Sequence, residues 1–162
     1  MLEQVDALYA FAYRLSRSGA EAEDLVQETF TRALAATQQF NPSSNLRAWL
    51  FTILRNAFID ARRRARRAPL PDESAIEGAS DPNLELLRGD LELDRMRRLV
   101  GEDIEAALQQ LSDDARTVVL LDLEGFTEAE IAGVMGCAAG TVKSRLARAR
   151  AALRSKLAEY GK

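Results

Sequence analysis

An all-α protein of two small helical domains joined by a linker, the second of them a helix-turn-helix domain, is the architecture that this 162-residue sequence predicts. Three observations carry it. Apolar residues recur at helical spacing through residues 1–67 and again beyond 100. Residues 68–82 interrupt that spacing with three of the four prolines and an acidic composition, which marks a linker. Residues 125–157 read as a capped short helix, a glycine turn and a basic second helix, the pattern of a DNA-reading helix-turn-helix. The expected division is therefore 1–67 for the first domain, 68–100 for a linker with a helix in its second half, and 101–162 for the second domain.

The first helix is expected from Leu2, Val5, Leu8, Tyr9, Ala12 and Leu15, with a stop at Ser16–Gly19. A second, about Ala20–Phe40, turns Leu25, Val26, Phe30, Ala33, Leu34 and Thr37 inward and leaves Glu23, Asp24, Gln27, Glu28 and Arg32 along an exposed polar edge. Asn41-Pro42-Ser43-Ser44-Asn45 then breaks the chain before a third helix from about Leu46. Its apolar stripe is Leu46, Trp49, Leu50, Ile53, Leu54 and Ala57, which puts Trp49 in the core rather than in a stacking role. Asn56 falls beside that stripe, where an amide is costly without partners. The helix runs into Arg62, Arg63, Arg64, Arg66 and Arg67. Guanidinium groups so crowded repel one another unless a polyanion neutralises them, although arginines at a helix C-terminus also answer the macrodipole. Phosphate contact is the favoured role. After the linker, Leu84, Leu87, Leu91, Met96 and Leu99 regain helical spacing over 84–100.

In the second domain, Thr127 can cap a helix by accepting from the Glu130 N–H while the Glu130 carboxylate reaches back to the Thr127 N–H, with Phe126 and Ile131 placed as a hydrophobic staple. Gly136 can take the left-handed conformation that the turn needs. The second helix starts near Ala138–Gly140 and sends Val142, Leu146, Ala149, Leu153 and Leu157 to the core. Ser144, Ala147 and Ala151 lie opposite, a strip small enough to approach base edges. Lys143, Arg150 and Arg154 flank it on one side and Arg145 and Arg148 on the other, which suits phosphates on both walls of a groove. A merely solvated basic helix is the alternative; cap, staple, turn and strip together favour DNA contact.

A net charge of −3 does not oppose this, because the charge is segregated. Residues 141–156 hold six basic groups and no acid, whereas 101–130 hold nine acids and one base, Arg116. Local fields, screened over about 10 Å, decide nucleic-acid binding. With one cysteine and no histidine there is no intramolecular disulfide and no His-based metal site or acid–base chemistry. Cys137 reads as a small apolar side chain at the turn rather than a redox sensor. No glycine-rich phosphate loop and no standout carboxylate pair is present, so neither enzyme activity nor a cofactor nor a metal is expected. No apolar run long enough to span a membrane and no signal-peptide pattern occurs, which gives a cytoplasmic expectation.

Three stretches resemble the signatures of bacterial sigma factors: Glu23-Asp24-Leu25-Val26-Gln27-Glu28-Thr29-Phe30, Leu46-Arg47-Ala48-Trp49-Leu50-Phe51-Thr52-Ile53-Leu54-Arg55-Asn56, and Gly140-Thr141-Val142-Lys143-Ser144-Arg145-Leu146. Size and layout match the small extracytoplasmic-function (ECF) group of the sigma-70 family, and the resemblance covers essentially the whole chain. It implies a non-enzymatic subunit that binds core RNA polymerase, places it on promoter DNA and helps open the duplex. Asp24, Gln27, Glu28 and Arg32 match the positions that grip polymerase. Ser44, Asn45 and Asn56 match those that read the −10 element and hold a flipped base, with the Arg62–Arg67 run beside them on the backbone. Thr141, Lys143, Ser144, Arg145, Ala147 and Arg148 match the −35 surface, Arg145 on the backbone. An anti-sigma partner and a monomeric free state are further implications.

The chain departs from the family pattern at Ala138 and Ala139, where many relatives begin the recognition helix with proline, and so loses a preorganised first turn. Ala147 offers shape or a thymine-methyl contact only. Two other functions fit parts of the sequence: a helix-turn-helix regulator acting without polymerase, and a sigma-like decoy for an anti-sigma protein. The first leaves the acidic-amide edge and the Asn56 helix without a role. The second makes the intact arginine run expendable.

Overall fold

Short-range signals set the helix ends of the computed structural model, which describes residues 4–67 and 101–160. Seven α-helices lie among the described residues: α1 (Val5–Ser16), α2 (Gly19–Ala35), α3 (Leu46–Arg67), α4 (101–109), α5 (Asp113–Leu123), α6 (Glu128–Met135) and α7 (Ala139–Tyr160). Leu2, the proline-rich stretch 68–82 and the expected helix over 84–100 lie outside the described residues. At the first corner, Arg17 adopts the left-handed region at φ 59° and donates its N–H to Tyr13 O at 2.7 Å. Ser18 then caps α2 by accepting from the Glu21 N–H.

Helix α2 is shorter than expected and continues only as a 3-10 turn, Thr37–Gln39. The Thr37 hydroxyl donates to the carbonyls of Ala33 and Leu34, competing with the backbone pattern that would have prolonged the helix. The inward line runs through Ala22, Leu25, Thr29 and Ala33. Thr29 is tolerated there because its hydroxyl donates to Leu25 O at 2.6 Å. Leu34, one residue off that line, is 67% exposed, and Thr37 is exposed too, so neither faces the core as its spacing implied.

Helix α3 is the wall shared by both halves of the molecule. Leu50, Leu54 and Ala57 face α1 and α2 as the stripe predicts, while Leu46, Trp49 and Ile53 are half-buried. Phe51 and Phe58, off that stripe, are buried as well. Phe51 lies between α1 and the loop before α6, and Phe58 borders the start of α5. Phe51 meets Phe11 edge-on at 5.0 Å between ring centroids and Phe126 at 5.1 Å, so one apolar core runs from α1 through α3 into the helix-turn-helix. Such edge-to-face pairs favour the contact beyond simple burial.

Polar contacts close the same interface. Arg47 donates to Glu124 O at 2.9 Å and to its Oε2 at 2.7 Å, with the guanidinium over the rings of Phe126 (4.7 Å) and Phe51 (5.5 Å). Arg17 pairs with Glu105 at 2.8 Å, and Gln109 Nε2 donates to Arg14 O. Arg116, the lone base of the acidic stretch, is 4% exposed. Its guanidinium donates to Leu108 O, Gln109 O and Leu111 O at the end of α4, to Leu15 O at the end of α1, and to Asp113. Carbonyls left over at two helix C-termini, one per domain, thus share one cation. Burial pushes the Arg116 pKa down, yet the group stays charged.

Candidate nucleic-acid interface

The helix-turn-helix is built as the sequence dictates. Thr127 Oγ1 accepts from the Glu130 N–H at 3.2 Å, and Phe126 and Ile131 are buried as a staple. The return bond from the Thr127 N–H is not formed; Glu130 stays half-exposed and answers the helix dipole instead. Gly136 sits at φ 66° and donates to Ala132 O, and Cys137 is half-buried against the core.

On α7, Val142, Leu146 and Ala149 are buried and Leu153 and Leu157 half-buried, so the strip opposite faces outward. Lys143, Ser144, Ala147, Arg148 and Ala151 are all exposed; Thr141 and Arg145 are half-buried at its edge. Two groups are committed within the protein. Arg148 Nε donates to Ser144 O at 3.4 Å, and Arg150 pairs with Asp122 at 2.6 Å, which draws Arg150 away from the strip toward α5. Arg145 and Arg148 border a cleft whose far wall includes Asp114 and Ala115 at the start of α5.

The second surface lies on α3 and the loop before it. Ser44 and Asn45 are exposed, but the loop is stitched by its own hydrogen bonds: Ser44 Oγ donates to Asn41 O, and Asn45 Oδ1 accepts from the N–H groups of Arg47 and Ala48, capping α3. The Asn45 side-chain carbonyl is therefore occupied by the backbone of α3. Asn56 is exposed, which corrects the expectation of a costly site beside the stripe: α3 turns it to solvent, and no desolvation cost arises. Arg62, Arg63, Arg64, Arg66 and Arg67 are exposed along the last turns of α3, with Arg62 folded over the Phe58 ring at 5.0 Å. Trp49 is half-buried against Phe40, ring centroids 4.9 Å apart.

The third surface is the polar edge of α2. Asp24 and Gln27 are exposed, whereas Glu28 and Arg32 are half-buried. Arg32 Nε donates to Glu28 Oε1 at 2.7 Å and Nη1 to Asp60 Oδ2 at 3.0 Å. The hydrogen bond to Glu28 raises the Arg32 pKa, and Asp60 adds to the effect. The sequence missed Asp60 and Arg47, for which local spacing holds no signal, since both partners are distant in the chain. Arg116 did stand out, as the single base among nine acids. Among the described residues no helix is long and apolar enough to cross a membrane.

Two family models match the chain: Sigma-70 region 2 over residues 2–68 and Sigma-70, region 4 over residues 101–153. The chain is 41% identical over 158 residues to the ECF RNA polymerase sigma factor EcfG of Rhodopseudomonas palustris, covering 97% of this chain and 82% of that protein. It is 39% identical over 164 residues to the ECF RNA polymerase sigma factor SigL of Mycobacterium tuberculosis, covering 98% and 87%. Among solved structures, the sigma factor RpoE in complex with the anti-sigma factor NepR from Bartonella quintana superposes with a TM-score of 0.73 at 38% identity, covering 96% of this chain and 92% of that one.

Proposed function

The chain belongs to the ECF group of the sigma-70 family and directs RNA polymerase to promoters, and from that premise we propose how its surfaces share the task. It is not an enzyme; binding and positioning are its work. The edge of α2, with Asp24, Gln27, Glu28 and Arg32, docks on core polymerase. The first domain, 1–67, reads the −10 element with Ser44, Asn45 and Asn56, using an amide's paired donor and acceptor on a flipped base and Arg62, Arg63, Arg64, Arg66 and Arg67 on phosphates. The second, 101–162, reads the −35 element with Thr141, Lys143, Ser144, Ala147 and Arg148, while Arg145 holds the backbone. The protein acts in the cytoplasm, monomeric when free, and melts promoter DNA only as part of the polymerase. An anti-sigma protein is a further partner, a reading supported by the likeness to a sigma factor solved with one.

The observation that carries this reading is the outward strip on α7, small residues edged by Lys143 and Arg148 and backed by a buried stripe. Arg148→Ala tests it. The polymerase holoenzyme with this variant should bind a −35 duplex more weakly by about 1–3 kcal/mol if the guanidinium grips a guanine, with core-polymerase affinity unchanged. Uniform weakening across sequences, with a salt slope reduced by about one, makes Arg148 a phosphate contact instead.

A further inference from the structure

The positive charge of α7 does not all face outward. Lys143 and Arg148 border the exposed strip, whereas two cations further along the helix are turned back onto the protein. Arg150 Nη2 donates to Asp122 Oδ2 at 2.6 Å, and Lys156 Nζ donates to the side-chain carbonyl of Gln110, just past α4. Arg150 follows Lys143 by about two helical turns, which puts it on the same flank of α7 roughly 10.5 Å further along. By register alone it continues the line that Lys143 starts along one wall of a groove. Asp122 turns it away.

The carboxylate is well placed to do so. Asp122 lies in the last turn of α5, at the negative end of that helix, where no basic residue of the same turn answers it. A cation from outside the helix relieves that conflict. The backbone around it is fixed by the corner that follows: the Glu124 N–H donates to Leu120 O at 3.1 Å, and Gly125, at a φ of 91° that suits glycine, donates to Asp122 O at 3.0 Å. Asp122 is half-buried on this corner while Arg150 stays exposed, so the pair sits at the rim of the domain rather than in its core.

We propose that Asp122 is a positioning residue that withholds Arg150 from the DNA backbone, so that the phosphate contacts of α7 end with the first half of the helix. This role rests on α7 being the DNA-facing helix and sets a limit to its charge. A carboxylate and a phosphate offer a guanidinium the same kind of charged acceptor, and the carboxylate is already in place. Each phosphate contact raises affinity for every sequence alike, whereas contacts to base edges discriminate. With Arg150 engaged inside the protein, a larger share of the hold on DNA comes from the strip that contains Ser144 and Ala147.

The test uses RNA polymerase holoenzyme reconstituted with the full chain and two short fluorescein-labelled duplexes. One is enriched from a random library by the wild-type holoenzyme and the other is a scrambled copy of it, with affinity read by anisotropy across a salt series. Asp122→Asn should bind both duplexes about threefold more tightly than wild type at low salt, the size expected of a surface ion pair, and should steepen the salt slope by about one. Asp122→Glu keeps a carboxylate within reach and should leave affinity and slope at wild type. Arg150→Ala alone should change neither, and in that background the gain from Asp122→Asn should vanish. Unchanged affinity and slope in Asp122→Asn overturn the role. A gain that persists without Arg150 overturns it too, by assigning the effect to the acid's own repulsion, and a lower slope in Arg150→Ala does so by showing that Arg150 already meets phosphate. Lys143→Ala separates this role from the reading beneath it. If that variant loses affinity and slope while Asp122→Asn changes nothing, α7 still faces DNA and only the role of Asp122 falls. If Lys143→Ala binds both duplexes as wild type does, the DNA-facing reading of α7 falls and the role of Asp122 falls with it.

Discussion

Arg116 shows how one side chain can be structural where its charge invites a nucleic-acid role. It spends its donors on the carbonyls of two helix ends and on Asp113, and none faces solvent DNA. Removing it strands several buried acceptors at once, each costly to leave unpaired. Arg116→Met should therefore destabilise the chain by about 3 kcal/mol or more, read as a lower urea midpoint at unchanged slope. Asn56 is the opposite case. Being exposed, it should tolerate replacement by alanine within about 0.5 kcal/mol of stability. If it holds a flipped base, the Asn56→Ala holoenzyme should transcribe poorly from intact promoter at saturating polymerase. Wild-type output there removes Asn56 from the mechanism. A full rescue on a premelted template would place the defect in strand separation rather than in base capture.

Among the elements, those with a single buried face are legible in the sequence. The stripes of α1 and α7, the capping hydroxyl of Thr127 and the left-handed Gly136 all follow from residue type and spacing, because each depends on neighbours a few positions away. Two departures from periodicity have separate causes. A periodic reading assigns a helix one apolar stripe and so leaves Phe51 and Phe58 off the core, whereas α3 is buried on more than one side, with Phe51 against Phe11 and Phe126 and Phe58 beside the start of α5. Periodicity also counts Leu34 as inward, although Thr29 and Ala33 already fill that line and Leu34 is exposed. The exposed strip of α7 follows from sequence; the pairing of Arg150 with Asp122 that draws one arginine away from it does not. The turn is open to a direct test. Gly136→Ala places a Cβ at φ 66°, where it costs about 1–2 kcal/mol, and thermal denaturation should show that loss.

At the level of the whole molecule, two sequence regions with separate family matches share one core through α3. Stability is therefore pooled. Calorimetry of the full chain should give one transition, and Phe126→Ala, although placed in the second domain, should lower the unfolding temperature of the first as well. Two peaks that move independently would show that the shared core is not coupled. The Phe11–Phe51–Phe126 row has a consequence of another kind. Parting the domains wets phenyl rings, and exposure of apolar surface raises heat capacity, so the hold between the halves weakens on cooling. Labels placed on either side of the seam should report a larger share of separated chains in the cold than at the temperature of tightest closure, and a share that ignores temperature would assign the hold to the ion pairs alone. The ratio of shut to open molecules would thus register the temperature of its surroundings, through three aromatic rings that the closed chain keeps from water.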